Sequence, residues 1–128
     1  MKYSATVLLA LLLFSCGSDA AFVLKTKVWK DISVFIEVRP NPPSPGMNEL
    51  LVVATRRNGK PASDMIVSVS SDSQPKPVQT IQDGLSGVYR RAVRLDDPSK
   101  ETIRVTIQSR EKGAEGETVL DFPMQSHQ

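Results

Sequence analysis

The sequence predicts an all-β fold, an antiparallel β-sandwich of seven or eight short strands, and three observations carry that expectation. Apolar residues recur at every second position over short runs, the period of a half-buried strand. Nine prolines and seven glycines stand mostly between those runs and supply turn chemistry. No amphipathic helix is legible after the N-terminal segment. The 128 residues suffice for one domain with one core. With 40% hydrophobic and 23% charged residues the chain is not broadly disordered.

The strands follow in order. Phe22, Leu24, Thr26 and Val28 alternate with Val23, Lys25, Lys27 and Trp29 in the first run. Lys30-Asp31 then forms a bulge or corner. Ile32, Val34, Ile36 and Val38 line one face of the second run, with Ser33, Phe35 and Glu37 on the other. Arg39 to Gly46 (RPNPPSPG) cannot be a paired central strand, because proline donates no ladder hydrogen bond. Glu49–Thr55 and Asp64–Ser70 follow, separated by Asn58-Gly59, a pair that tolerates positive φ. Pro77–Gln82 leads through DGLSG into Gly87–Leu95, and DDPSK leads into Thr102–Gln108. A glycine-containing turn then returns into Glu117–Pro123. Leu50/Val52/Ala54, Met65/Val67/Val69, Tyr89/Val93, Ile103/Val105/Ile107 and Leu120/Phe122 complete the expected inner faces.

The N-terminal segment has another purpose. Met1-Lys2 precedes an apolar stretch, Val7 to Phe14, which as a helix would cover about 12 Å of a hydrocarbon core of roughly 30 Å. A secretory signal fits better than a membrane span. A buried cytosolic helix is the bland alternative, and the absence of a polar face argues against it. Leu13-Phe14-Ser15-Cys16 resembles the lipobox of bacterial lipoproteins, with Phe14 bulkier than that slot usually holds. The resemblance implies a diacylglyceryl thioether on Cys16 and cleavage just before it. A lone cysteine cannot form an intramolecular disulfide. A free thiol and a non-lipidated leader remain the alternatives. Gly17, where Asp would signal inner-membrane retention, implies an outer-membrane lipoprotein facing the periplasm in a two-membrane bacterium. The expected organisation is therefore a leader over 1–15, lipidated Cys16 and tether over 16–21, a sandwich over 22–124, and a flexible tail over 125–128. Gly17 to Ala21 reach at most about 18 Å, which keeps the domain close to the bilayer.

A second resemblance lies in the mature chain. Pro42-Pro43, Pro45-Gly46-Met47-Asn48-Glu49-Leu50, Asn58-Gly59-Lys60-Pro61, Asp83-Gly84 and Gly87-Val88-Tyr89-Arg90 are similar to the turns and strands of YtkA-like domains, related to the periplasmic part of FixH. The resemblance covers most of Asp31 to Phe122 and implies an exported immunoglobulin-like fold with no settled chemistry.

Groups that could do chemistry are sparse. The single histidine, His127, lies in the expected tail, so no Ser-His or Cys-His system is foreseen and the protein is read as not an enzyme. Met47, Met65, Met124 and His127 are too scattered for a copper site. Asp96, Asp97 and Glu101 crowd one loop, where a solvated turn is favoured over calcium binding. No metal, cofactor or small-molecule substrate is expected. Loss of Lys2 with the leader would leave 15 basic residues against 14 acidic, a balance that offers nothing to nucleic acid.

Two basic groups and one aromatic residue remain as candidate partner-binding residues. Arg56 and Arg57, with Lys60, stand at one turn; Arg90 and Arg94, with Arg91, lie along one strand. Solubilising charge that discourages edge pairing is the plainer reading of both. Trp29 is read first as core and second as an interfacial anchor or partner contact. The expected function is thus a membrane-anchored periplasmic lipoprotein, bound to lipid through Cys16 and acting as a non-catalytic assembly subunit with another envelope protein. The alternative is a metal-handling or respiratory-complex assembly factor of the FixH/YtkA type.

Overall fold

Ten strands alternate between two antiparallel sheets in the computed structural model, which describes residues 20–110 and 116–127. They are β1 (Phe22–Val23), β2 (Lys27–Trp29), β3 (Ile32–Arg39), β4 (Gly46–Arg56), β5 (Met65–Ser71), β6 (Val78–Gln79), β7 (Ile81–Gln82), β8 (Val88–Leu95), β9 (Thr102–Ser109) and β10 (Glu117–Pro123). The first sheet runs β1-β3-β4-β8-β7, with β2 also paired to β3, and the second runs β10-β9-β5-β6. Taking β3, β4, β5, β7, β8, β9 and β10 as strands A to G reproduces the ABED and CFG sheets of an immunoglobulin sandwich. The pair β1/β2 is an addition at the A edge.

The alternation read in the sequence settles which side chains enter the core. Val34, Ile36 and Val38 of β3, Leu50 and Val52 of β4, and Ile103, Val105 and Ile107 of β9 are all fully buried. Each such side chain contributes roughly 1.5–3 kcal/mol by leaving water. β4 is apolar on both faces from Leu50 to Val53 and is the strand paired to both β3 and β8. Leu51, on the outer face, is only 4% exposed.

The chain departs from simple alternation in two places. Val23 pairs with Glu37 and Lys27 with Val34, so residues 24–26 face only residues 35 and 36. That extra residue is a β-bulge, and it moves the inward set from Phe22 and Leu24 to Lys27 and Trp29. Val28, expected on the same face as Leu24, is therefore exposed. The second departure is at Thr80. The single strand expected over Pro77–Gln82 splits into β6 on one sheet and β7 on the other. Buried Thr80 sits at the crossing, with its N–H and Oγ1–H both donating to the Val67 carbonyl, at 2.9 and 2.7 Å.

Lys30-Asp31, expected as a bulge or corner, is the two-residue loop of a hairpin closed by the Trp29–Ile32 pair, with Lys30 at φ +56°. Met124 closes the sandwich as its expected last residue, and residues 125–127, expected as tail, fold back over it. Met124–Ser126 forms a 3₁₀ turn, Met124 is buried, and His127 bridges to Leu24.

The strand directions give the sandwich two distinct ends. Phe22, the 40–45 loop, the 96–101 loop and residues 124–127 lie at one end. Lys30, the 57–64 loop and Asp83–Gly87 lie at the other.

Candidate functional site

Leu13, Phe14, Ser15 and Cys16 lie outside the described residues. What the structure adds is the place where the chain from Cys16 reaches the domain. The Asn41 amide donates to the Ala20 carbonyl, which ties the incoming segment to the proline loop. Beside it, Asn48 is only 1% exposed and holds that loop in shape. Its Nδ2 donates to the carbonyls of Ser44 and Gly46 at 2.7 and 3.1 Å, and its Oδ1 accepts from the Ser44 N–H at 3.1 Å.

An apolar cleft of about 370 Å³ opens at this same end, lined by Phe22, Pro42, Pro43, Pro98, Ser99, Met124, Gln125 and His127. The Phe22 and His127 rings in its lining stack on each other, centroids 4.7 Å apart and planes 18° from parallel. Four separate stretches of sequence build the cleft, so no single motif announces it. The only hint in the sequence is that 40–45 and 122–126 carry no charged side chain.

Half of the six basic residues in the two groups, Arg56, Arg90 and Arg94, are engaged in ion pairs among the described residues. Arg56 Nη2 lies 2.7 and 3.0 Å from the two Asp64 carboxylate oxygens, and Nη1 lies 3.4 Å from Asp31. The Asp64 hydrogen bond is the main cause of a guanidinium pKa raised above its ordinary value. Arg90 donates to Asp83 and, at 3.0 Å, to Glu49; its pKa is likewise raised, chiefly by Asp83. Arg94 pairs with Asp96 at 2.7 Å. Arg57 and Lys60 are exposed, and neither makes an ion pair among the described residues. The first basic group is thus brought together at one turn, while the second is spread along β8.

Trp29 is half-buried against the core, with the Lys30 ammonium 4.8 Å above its ring. It stands at the far end of the sandwich from Phe22, separated by six residue steps along β3 from Val38 to Ile32, about 20 Å.

Asp96, Asp97 and Glu101 do not converge on a common point. Glu101 is 6% exposed, and its carboxylate joins two loops. Oε1 accepts from the Ser73 N–H at 2.8 Å and from the Ser73 hydroxyl, and Oε2 accepts from the Asp97 N–H at 2.8 Å. Asp96 turns to Arg94. Met65 and Met124 are buried, Met47 is 57% exposed, and no three His, Cys, Asp or Glu side chains cluster among the described residues.

A second opening of about 450 Å³, lined by Glu49, Ile81, Asp83, Arg90, Arg91 and Ala92, has four charged residues in its lining and lies on the outer side of β8. The two openings therefore differ in charge: four charged side chains line the one on the sheet face, and none but His127 is ionisable in the one beside Phe22.

No protein-family model, no curated protein and no solved structure matches the chain.

Proposed function

We propose that the chain is an exported lipoprotein, anchored through an acylated Cys16, whose sandwich is a non-catalytic binding and assembly subunit of an envelope protein complex. One observation carries this reading: an apolar leader ending on Leu13-Phe14-Ser15-Cys16, a few residues before the first strand. Two or three acyl chains at about 0.8 kcal/mol per buried methylene make such an anchor effectively permanent. The Asn41–Ala20 contact supports it by tying the tether to one end of the sandwich. The opposite end, with Trp29, Lys30, Arg57 and Lys60, then faces away from the bilayer and is the end offered to a partner. At that distance Trp29 serves better as a partner contact than as an interfacial anchor.

Intact-mass spectrometry of the native protein tests the anchor. A mature chain beginning at Cys16 with diacyl or triacyl mass is expected; a bare thiol or a different start overturns the reading. A pull-down from detergent-solubilised envelopes tests the assembly role and is expected to recover a stoichiometric protein partner. The alternative, metal handling of the FixH/YtkA type, has the turn and strand resemblance behind it, and copper content after reconstitution separates the two.

A further inference from the structure

The apolar cleft between Phe22, Pro42, Pro43, Pro98 and Met124 sits where the chain from Cys16 meets the domain. We propose that this cleft seats an acyl chain of the bilayer, so that the sandwich rests on the membrane by its proline-rich end. The proposal rests on the lipoprotein reading and names the face of the domain that meets the lipid.

Reach is the first argument. Ala20 is held by Asn41 at the lip of the proline loop, and Cys16 lies four residues upstream. Four residues extend at most about 14 Å, so a bilayer that holds Cys16 lies within that distance of Ala20, two residues before Phe22 in the cleft lining. The far end of the sandwich, beyond the length of β2 and β3, is out of reach.

Chemistry is the second. The lining has no carboxylate, ammonium or guanidinium, and its one ionisable side chain is His127. Moving a charge toward hydrocarbon costs several kcal/mol, and an uncharged lining avoids that cost. Ser99, Gln125 and His127 give it a polar rim suited to the headgroup layer. Asp97 neighbours Pro98, but its carboxylate accepts the Ser99 hydroxyl at 2.7 Å and does not line the cleft. The second opening differs in charge, since Glu49, Asp83, Arg90 and Arg91 all stand in its lining beside Ile81 and Ala92.

The test uses the lipidated mature protein, purified from membranes and reconstituted into vesicles of phosphatidylcholine brominated along its acyl chains. Bromine quenches tryptophan only on contact. The single Trp29 reports the far end, and Ser99→Trp adds a reporter at the cleft. Gln125→Trp is a second reporter, and far-UV circular dichroism verifies that each variant folds. The expected result is Trp29 emission equal in brominated and plain vesicles, with the emission of the added tryptophan lost in brominated ones. Vesicle-bound protein whose added tryptophans keep their emission overturns the proposal: the cleft then holds the chain's own unbrominated acyl group, a protein, or nothing. Quenching of Trp29 overturns it as well, since the sandwich would then lie the other way up. Protein that fails to bind vesicles and carries an unmodified Cys16 defeats the lipoprotein reading and this inference together.

Discussion

The Tyr89 hydroxyl donates a 2.7 Å hydrogen bond to the carbonyl of Ala62, joining β8 to the loop that carries the chain from one sheet to the other. Tyr89 is 2% exposed and Ala62 is fully buried. Tyr89→Phe keeps the ring and strips the donor from a buried carbonyl, a loss of about 1–3 kcal/mol. A melting temperature lower by several degrees is expected. The same burial, as the largest cause, raises the Tyr89 pKa above its ordinary 10.0. A group whose pKa is raised on folding contributes stability that is full below the unfolded value and is lost as pH rises through the folded one. The wild type should therefore lose stability above about pH 10, and Tyr89→Phe should lose less over that range. Denaturant midpoints at pH 9 and pH 11 measure the difference.

Glu101 is predicted to be a loop clamp. Its carboxylate receives the backbone N–H groups of Ser73 and Asp97, both at 2.8 Å, from two loops that approach each other only in the folded chain. Glu101→Gln turns an N–H toward one of those donors and should cost about 1–3 kcal/mol. A ligand that binds only the folded state raises its melting temperature. Millimolar calcium should leave the thermal midpoint unchanged, and a rise with calcium would sink the clamp reading.

The inner faces were legible in the sequence because strand periodicity leaves few choices once one side must be dry. Ile103, Val105 and Ile107 could hardly be arranged otherwise. The first run misled at Val28, because a bulge at residues 24–26 reverses the pattern without changing any residue type and turns Val28 outward, while Trp29 packs against the core as first read. Thr80 concealed its crossing between sheets for a similar reason, since nothing in PVQTIQ breaks the alternation. Arg56 read as open charge because its partners lie elsewhere in the chain: Asp31 precedes it by 25 residues and Asp64 follows it by eight. The cleft is the extreme case. Phe22, Pro42, Pro98 and Met124 meet only through long-range strand pairing, and each alone reads as an ordinary turn or core residue.

Gly87 is predicted to be the least replaceable glycine among those described. It has φ +74°, and an added Cβ would come within 2.6 Å of the Ala54 carbonyl oxygen, a backbone atom that cannot swing aside. Its own carbonyl accepts the Ala54 N–H at 2.9 Å, which holds the start of β8 to β4. Gly87→Ala should cost about 2–3 kcal/mol, combining backbone strain with displacement of that contact. Gly84→Ala, at φ +57° with open space around it, should cost only about 1 kcal/mol. Equal losses in chemical denaturation would mean that the close approach to Ala54 carries no weight.

Asp72 ties the start of β9 to the loop after β5. Its carboxylate accepts the Thr102 N–H at 2.9 Å and pairs with Arg104 at 2.9 Å. The Thr102 hydrogen bond is the largest cause of a pKa lowered from its ordinary 3.8, with Arg104 next. A depressed carboxyl pKa contributes stability above the unfolded value, and that contribution disappears as pH falls through the folded one. Asp72→Asn should thus be less stable than wild type at neutral pH, and the two should converge below about pH 4. The carboxylate is largely exposed, so solvent screens the effect and the offset should be small. Urea midpoints of the two proteins from pH 7 down to pH 3 measure it, and an offset that persists undiminished at pH 3 would assign the loss to packing, because a protonated Asp72 and an asparagine carry the same charge.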